Sequence, residues 1–306
     1  MKLKHLFLAF FALLLITLVA LPYVRSAEKF ELNDETRKSI KGSFVRLPSG
    51  VTHYELAGPE GAPVVVLVHG FSVPAYIWDS NFNELAKAGF RVLRYDQFGR
   101  GFSDRPAVDY NAAFYHNQLN ELLAALKVEE PVNLVGVSMG GAIVAGYTAA
   151  FPDRVNKVAL LAPYNQATDI SILKTPYVGD YLNQVYLVPT LLEGQASDFF
   201  NASVLPANYK SNFAAQMEYK GFDKAILSTL RNFISKDPQP YFKGLAETQK
   251  PILLIWGKND PTVPYNKELT QMLNPKLILL DSCGHIPQIE YPEEVNRELV
   301  SFLGSR

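Results

Sequence analysis

The sequence has a single cysteine, Cys283, among its 306 residues. One thiol cannot form an internal disulfide bond, and it cannot supply the cysteine set of a structural zinc site. An excess of charge is also missing, because 29 basic and 30 acidic residues leave a formal net charge of -1. Without a basic field, we expect no nucleic-acid partner. Low-complexity tracts and internal repeats are absent too, which excludes a repeat architecture.

A long uncharged run is present near the N-terminus. Lys2 and Lys4 precede nineteen uncharged residues, Leu6 to Val24, a length between that of a signal-peptide core and that of a transmembrane helix. Residues 1–27 are therefore predicted to be a signal peptide or a membrane anchor. The leading positive charges would stay inside, so we expect a membrane-anchored protein facing the extracytoplasmic side, or a secreted or periplasmic one if the segment is cleaved.

Beyond this segment, short apolar runs alternate with amphipathic stretches. Such alternation predicts an α/β fold, in which a mostly parallel sheet carries helices on both faces. The pattern pauses over residues 164–250, which lack long apolar runs and contain many aromatic residues. We predict a core made of residues 43–163 and 251–306, with 164–250 inserted as a helical cap over the carboxyl edge of the sheet. The apolar runs are Val64–Gly70, Phe90–Asp96, Val132–Ser138, Val155–Pro163, Pro251–Gly257 and Lys276–Asp281.

One of these runs ends in the pentapeptide GVSMG, residues 136–140. The G-x-S-x-G pattern between an apolar strand and a helix predicts a nucleophile elbow, a tight turn that exposes the serine hydroxyl. Glycines two residues before and after Ser138 would let the strand and the helix approach closely. Ser138 is therefore the candidate nucleophile.

A serine nucleophile needs a base, and the base needs a carboxylate that fixes its tautomer. Of the five histidines, only His285 lies in a loop after a late strand and is not better explained as structural; His69 is expected to brace its own loop. Asp260 lies in the loop after the preceding strand and is the candidate carboxylate, with Asp281 as a weaker rival. The predicted triad is therefore Ser138, Asp260 and His285.

An oxyanion formed at Ser138 would need main-chain N–H donors. The two best placed are those of Met139, directly after the serine, and Phe71, in the loop after Val64–Gly70. No cluster of metal ligands and no phosphate-binding loop is evident, so we expect neither a metal nor an organic cofactor.

Taken together, the segments HGF, YDQFGRGFSDRP, GVSMGG, WGKNDPTVP and CGHIPQIEYPEEVN resemble those of the α/β-hydrolase superfamily. From about Ser43 onward, the chain is similar to capped serine esterases and lipases, and together with its leader it resembles membrane-associated monoacylglycerol lipases. This resemblance implies cleavage of carboxylic esters through an acyl-enzyme, with a small-molecule ester or lipid such as a monoacylglycerol or lysolipid as substrate.

Two alternatives stay open at this stage. Carbon–carbon bond hydrolases of the same fold use the same triad, so the triad cannot exclude hydrolysis of a vinylogous diketone. A non-enzymatic, ligand-binding relative of the hydrolases is the second alternative, and turnover that is lost in Ser138→Ala would exclude it.

Overall fold

A computed structural model of the protein describes residues 2–305, without the side chain of Lys2. Met1 and Arg306, which the predicted segments 1–27 and 251–306 include, lie outside the described residues. Eight strands form one sheet in the order β1-β2-β4-β3-β5-β6-β7-β8. They are β1 Ser43–Leu47, β2 Gly50–Ala57, β3 Val64–Val68, β4 Arg91–Tyr95, β5 Val132–Val137, β6 Val155–Leu161, β7 Ile252–Gly257 and β8 Lys276–Leu280.

Only the β1–β2 and β2–β4 pairs are antiparallel, and every other pair is parallel. The central strands are apolar and buried along their whole length, as β5 and β7 show, because helices cover both faces of a parallel sheet. The predicted α/β class, a mostly parallel sheet with helices on both faces, is confirmed.

Helices connect the strands and cover the sheet. Those that flank the sheet are α3 Asp79–Lys87, α4 Ala112–Ala125, α5 Met139–Ala150, α12 Lys267–Leu273, α13 Pro287–Glu290 and α14 Pro292–Gly304. Two precede the first strand, α1 Lys2–Arg25 and α2 Asp34–Arg37. Six lie between β6 and β7, namely α6 Ser171–Lys174, α7 Val178–Leu182, α8 Val188–Gly194, α9 Tyr209–Met217, α10 Phe222–Thr229 and α11 Gln239–Glu247.

The segment between β6 and β7 is helical, with additional short 3-10 and π turns. Its last helix, α11, packs against core helix α5, where Gly244 lies over Ala149. The helix therefore covers the sheet as a crossover helix does in an α/β unit. The division into a core of residues 43–163 and 251–306 and a cap of residues 164–250 stays a prediction.

Helix α1 stands apart from the packed body. It is long and apolar enough to cross a membrane, and its most apolar window is not buried against the rest of the chain. A signal sequence meets the same criterion, so the helix is a candidate signal or anchor and no more. At its end, Arg25 donates from Nε to the carbonyl oxygen of Val185 in the cap at 3.1 Å.

We expect that deleting residues 1–25 leaves the rest of the protein folded. The bond from Arg25 to Val185 is exposed, and such a bond contributes about 1 kcal/mol. Thermal unfolding of the truncated and full-length chains in the same detergent should give midpoints within about 4 °C of each other. If the truncated chain showed no cooperative unfolding transition, the rest of the protein would not fold independently of α1, which would contradict this prediction.

Candidate active site

The turn between β5 and α5 holds Ser138 in a strained conformation. Its φ of 54° and ψ of -122° lie in a region that residues with a side chain rarely adopt. The surrounding backbone maintains the strain, since Ser138 N–H donates to Leu161 and its carbonyl accepts from Gly141 and Tyr164. Ser138 is only partly buried, so its hydroxyl is presented at the carboxyl edge of the sheet.

The glycines around Ser138 are required by the close approach of strand and helix. A Cβ at Gly136 would lie 2.4 Å from the carbonyl oxygen of Gly140. A Cβ at Gly140 would lie 2.3 Å from the carbonyl oxygen of Val68 in the neighbouring strand. Neither position can accept any side chain without moving the backbone.

His285 and Asp260 form a buried hydrogen-bonded pair in the loops after β8 and β7. Nδ1 of His285 donates to Oδ2 of Asp260 at 2.8 Å, and the Asp260 side chain is 0% exposed. The other carboxylate oxygen accepts from the N–H groups of Thr262 and Val263 at 2.9 and 2.8 Å. This network fixes the imidazole tautomer and leaves Nε2 without a proton when the ring is neutral.

The pKa of His285 is raised above its ordinary value. Burial opposes protonation and is the largest single effect, but the hydrogen bond and charge of Asp260, with the charges of Asp198 and Glu290, outweigh it. The carboxylates around the ring therefore stabilise the imidazolium. A base in this position retains a proton that it has accepted more strongly than a free imidazole would.

Ser138 and His285 line the same cavity, which has a volume of about 340 Å³. Within residues 2–305, no direct hydrogen bond joins the two side chains. Such contacts are often long in ligand-free enzymes and tighten when substrate binds. Asp281, the weaker rival, lies apart from this cavity, because it is exposed and pairs with Lys258 at 2.7 Å.

The loop after β3 lies against Ser138. A Cβ at Gly70 would be 3.3 Å from Cβ and 3.8 Å from Oγ of Ser138, so the next residue, Phe71, begins beside the serine. Arg100 secures the loop by donating from Nε to the Phe71 carbonyl at 2.5 Å. The main-chain N–H groups of Phe71 and Met139 have no acceptor within the described residues, so both remain available to an oxygen atom bound in the cavity.

The other histidines in the body of the protein have structural partners. His69 contacts the Gly70 carbonyl through Nδ1 and accepts from the Gln97 N–H through Nε2, both at 2.9 Å, and burial lowers its pKa to about 4. His116 contacts the carbonyl of Ile143, and burial lowers its pKa to about 4. His53 contacts Asp96, a residue of the segment YDQFGRGFSDRP.

Two acidic residues at the site were not among those predicted from the sequence. Asp198, in the segment between β6 and β7, accepts the N–H of His285 through its main-chain oxygen at 2.7 Å, and its Oδ1 accepts from Thr262 Oγ1 at 2.6 Å. Glu290 accepts from the N–H of Gly284 at 2.7 Å and from that of Phe200 at 3.0 Å. The Asp198 main chain and the Glu290 carboxylate thus connect the segment between β6 and β7 to the His285 loop, and the Asp198 carboxylate connects it to the Asp260 loop through Thr262.

The cavity is lined by residues from the sheet's loops and from the segment between β6 and β7. The loops and helices around the sheet supply Gly70, Phe71, Ser72, Val73, Ile77, Val137, Ser138, Thr262, His285 and Ile286, and the segment between β6 and β7 supplies Thr190, Leu191, Gly194, Gln195 and Asp198. No group of three or more His, Cys, Asp or Glu side chains in residues 2–305 is placed to hold a metal ion. The cavity wall thus combines apolar side chains with four hydroxyls, those of Ser72, Ser138, Thr190 and Thr262, and with one imidazole and one carboxylate, those of His285 and Asp198.

A comparison of the chain with models of protein families agrees with the nucleophile elbow, the His–Asp pair and the strand order of the sheet. A family model described as "alpha/beta hydrolase fold" matches residues 63–292, which is most of the chain. The chain belongs to the α/β-hydrolase family. The superfamily resemblance noted in the sequence is confirmed, and the protein is a hydrolase with a small-molecule substrate.

Two relatives of this α/β-hydrolase carry the name 2-hydroxy-6-oxononadienedioate/2-hydroxy-6-oxononatrienedioate hydrolase. The one from Paraburkholderia xenovorans is 32% identical over 281 residues, which cover 85% of this chain and 94% of that protein. The one from Cupriavidus pinatubonensis is 29% identical, with coverage of 86% and 95%. The crystal structure of an enol-lactonase from Burkholderia xenovorans superposes with a TM-score of 0.74 at 23% identity, over 86% of this chain and all of that one.

The relatives correct the expected substrate class. Cleavage of carboxylic esters such as monoacylglycerols or lysolipids was the main expectation, but the relatives are named for carbon–carbon bond hydrolysis, the first of the two alternatives. The physical reason for the error is that both reactions begin with attack on a carbonyl carbon. An elbow, a base and an oxyanion site serve both equally, so the motifs of this α/β-hydrolase do not distinguish an ester from a ketone.

Replacing Gly136 by alanine should damage the elbow. The new Cβ meets the backbone of Gly140, and overpacking of this kind destabilises a protein by about 1–3 kcal/mol. We expect a lower unfolding midpoint and slower labelling of Ser138 by a fluorophosphonate. Gly304→Ala is the control, because its nearest neighbour would lie 3.9 Å away, and equal midpoints for both variants would contradict the packing argument.

The rate of fluorophosphonate labelling should depend on the protonation of His285. Labelling needs the neutral imidazole as base, and the pKa of His285 is raised, so the rate should fall as the pH drops through a value above 6.5. Asp260→Asn removes the stabilising charge, so its acid limb should move to lower pH while the maximal rate falls by about 10⁴-fold.

Asp281→Asn provides the matched control for this pH profile, because Asp281 is exposed and pairs with Lys258. Its labelling rate and acid limb should equal those of the wild type. A shift in Asp281→Asn, with none in Asp260→Asn, would reverse the assignment of the carboxylate.

Proposed function

We propose that the protein hydrolyses a carbon–carbon bond in a vinylogous diketone, a ketone whose neighbouring carbon is linked through a double bond to a second carbonyl. The observation that supports this most strongly is the 32% identity, over 94% of its length, to a relative named for such a reaction. The geometry around Ser138 is compatible with it, since a nucleophile, a base and free N–H donors meet at one cavity.

The first step in this proposal is addition of Ser138 to the ketone. Oγ forms a bond to the carbonyl carbon while His285 Nε2 takes the hydroxyl proton. The carbonyl electron pair moves onto oxygen, where the N–H groups of Phe71 and Met139 stabilise the negative charge. Asp260 keeps the imidazole oriented and stabilises the resulting imidazolium.

The second step breaks the carbon–carbon bond. When the oxyanion reforms a carbonyl, the electron pair of the broken bond moves into the conjugated chain and ends on the oxygen of the distant carbonyl. The imidazolium of His285 returns its proton to this leaving group. The acyl part stays on Ser138 as an ester, and the conjugation explains why carbon can leave where an isolated alkyl group could not.

Water completes the cycle. His285 takes a proton from a water molecule, and the hydroxide attacks the acyl carbon in the same oxyanion site. The serine leaves with the proton held by His285, and a carboxylic acid is released. One water molecule is consumed in total, with its hydroxyl on the acid and its hydrogen on the carbon fragment.

The proposal also gives a role to the N-terminal segment and to the segment between β6 and β7. Residues 1–27 act as an export signal or membrane anchor that places the enzyme on the extracytoplasmic side, with α1 as the supporting observation. Residues 164–250 act as the cap of a core formed by 43–163 and 251–306. The cap supplies five of the residues that line the cavity, and it would exclude bulk water during catalysis.

A 2-hydroxy-6-oxodienoate is the enol form of such a diketone, which it gives when its 2-hydroxyl proton moves to the carbon next to the 6-ketone. Cleavage of this substrate should require Ser138. We expect Ser138→Ala to reduce kcat at least about a thousandfold, because the nucleophile is lost. The decay of the absorbance of the conjugated substrate measures the rate, and mass spectrometry of the two fragments identifies the bond that is cut.

Ser72→Ala is the matched control, since Ser72 lines the same cavity but has no part in the proposed proton transfers. Its kcat should stay within about tenfold of the wild type. Absence of carbon–carbon cleavage by a wild-type enzyme that is labelled by fluorophosphonate would refute the proposed reaction.

A further inference from the structure

We propose that the folded body of the protein docks onto a phospholipid bilayer through exposed apolar side chains beside the C-terminal end of α1. These side chains, hereafter the docking surface, are Ile172, Tyr177, Val178 and Tyr186, all in the segment between β6 and β7. The inference rests on the proposed role of α1 as a membrane anchor, and it is independent of the reaction proposed at Ser138. It gives the body a membrane contact of its own.

Exposed large apolar side chains are concentrated in one stretch of the body. Within residues 26–305, eight such side chains are exposed, and half of them lie within residues 172–186 as the docking surface. Single exposed apolar side chains are normal on soluble proteins, whereas a cluster marks a surface that contacts something other than water. The four exposed side chains outside the cluster are Phe30, Val108, Phe200 and Val204.

Tyr177 has a backbone conformation that its own packing does not explain. Its φ of 62° lies in the left-handed region, which is uncommon for residues with a side chain. Tyr177 is nevertheless 89% exposed, so this conformation does not bury the ring in the protein. It presents the ring to the surroundings instead, as a contact with an external surface requires.

The docking surface adjoins the end of α1. Helix α1 packs against the π turn Asn183–Leu187, and Arg25 Nε donates to the Val185 carbonyl at 3.1 Å. Tyr186 therefore lies about one arginine side chain away from the point where α1 would leave the membrane. Helix α7 packs against the same turn and α6 packs against α7, so the rest of the docking surface continues from there.

The chemistry of this surface suits the headgroup layer of a bilayer. Tyrosine is enriched at that depth, where its ring is apolar and its hydroxyl reaches water, and Tyr23 on α1 adds a third exposed tyrosine. Within residues 170–192 the only charged side chains are Lys174 and Asp180, and Asp180 pairs with Arg231 at 3.0 Å. The attraction is therefore apolar rather than electrostatic.

A second copy of the chain is a weaker candidate for the same surface. A stable protein–protein interface uses about 20–30 residues on each side, and the docking surface offers four large apolar side chains. A bilayer requires no such minimum when α1 already holds the chain at the membrane. Each further side chain then adds to binding without a new loss of translational freedom.

Depth measurements on the full-length chain test the inference. Tyr186→Cys and Val178→Cys are each labelled with the fluorophore NBD and reconstituted into phosphatidylcholine vesicles. The wild-type chain is the labelling blank, because its one thiol, Cys283, is buried. Lipids with a doxyl quencher close to the headgroup should lower both emissions at least about twofold, since interfacial side chains lie about 5–10 Å inside the headgroup boundary.

Two further positions make a negative result interpretable. Glu60→Cys is the matched control, because Glu60 is exposed in the turn before β3, at the edge of the sheet opposite Ser138, and its label should not be quenched. Leu13→Cys, in the middle of α1, should be quenched by a doxyl group deep in the acyl chain. Quenching at position 13 alone would overturn the docking surface and leave the anchor intact, and no quenching at position 13 would overturn both.

A charge substitution gives a second measurement. Tyr177→Asp places an unpaired carboxylate on the docking surface, so quenching of the label at position 186 should fall at least about twofold, because burying that charge is unfavourable. Val108→Asp makes the same change at an exposed apolar residue outside the docking surface and should have no effect.

An NBD emission that shifts to the blue without doxyl quenching would show burial against protein, and it would overturn the inference in favour of a second copy. Labelling of Ser138 by a fluorophosphonate verifies that each variant is folded. None of these measurements needs turnover, so absence of carbon–carbon cleavage would not affect them.

Discussion

The contact between strand β5 and helix α5 is the constraint on which the rest of the site depends. Strand and helix approach so closely that the carbonyl of Gly140 occupies the place where a side chain of residue 136 would be. This approach forces Ser138 into a backbone conformation with positive φ. Main-chain hydrogen bonds to β6 and to the first turn of α5 then hold the strained turn in place.

The parallel sheet brings the other groups to the same place. The loops that follow β3, β7 and β8 all leave the carboxyl edge next to this turn, which is why residues remote in sequence share one cavity. Each loop carries one type of group: main-chain donors beside Phe71, a buried carboxylate at Asp260, and an imidazole at His285. The charge of Asp260 raises the pKa of that imidazole despite its burial, so the electrostatics of the site also follow from the topology.

The sequence predicted the features that a short run of neighbouring residues marks, and it missed those that depend on tertiary contacts. The α/β class could be predicted because buried parallel strands are continuous apolar runs, and the candidate triad could be proposed because Ser138, Asp260 and His285 each follow such a run. Asp198 and Glu290 were missed, since an acidic residue in a polar stretch gives no signal until the cap is packed on the core. The predicted reaction was wrong for a different reason. A ketone and an ester differ in the leaving group, and the motifs GVSMG and CGH do not indicate which leaving group is present.

The bond from the His285 N–H to the Asp198 carbonyl has a consequence for motion. This bond joins the segment between β6 and β7 directly to the loop that carries the imidazole, and Glu290 reinforces the same junction through Gly284 and Phe200. Any displacement of the backbone at Asp198 would therefore stretch or break its bond to the His285 N–H. The orientation of the imidazole thus depends on residues outside the loop that carries it.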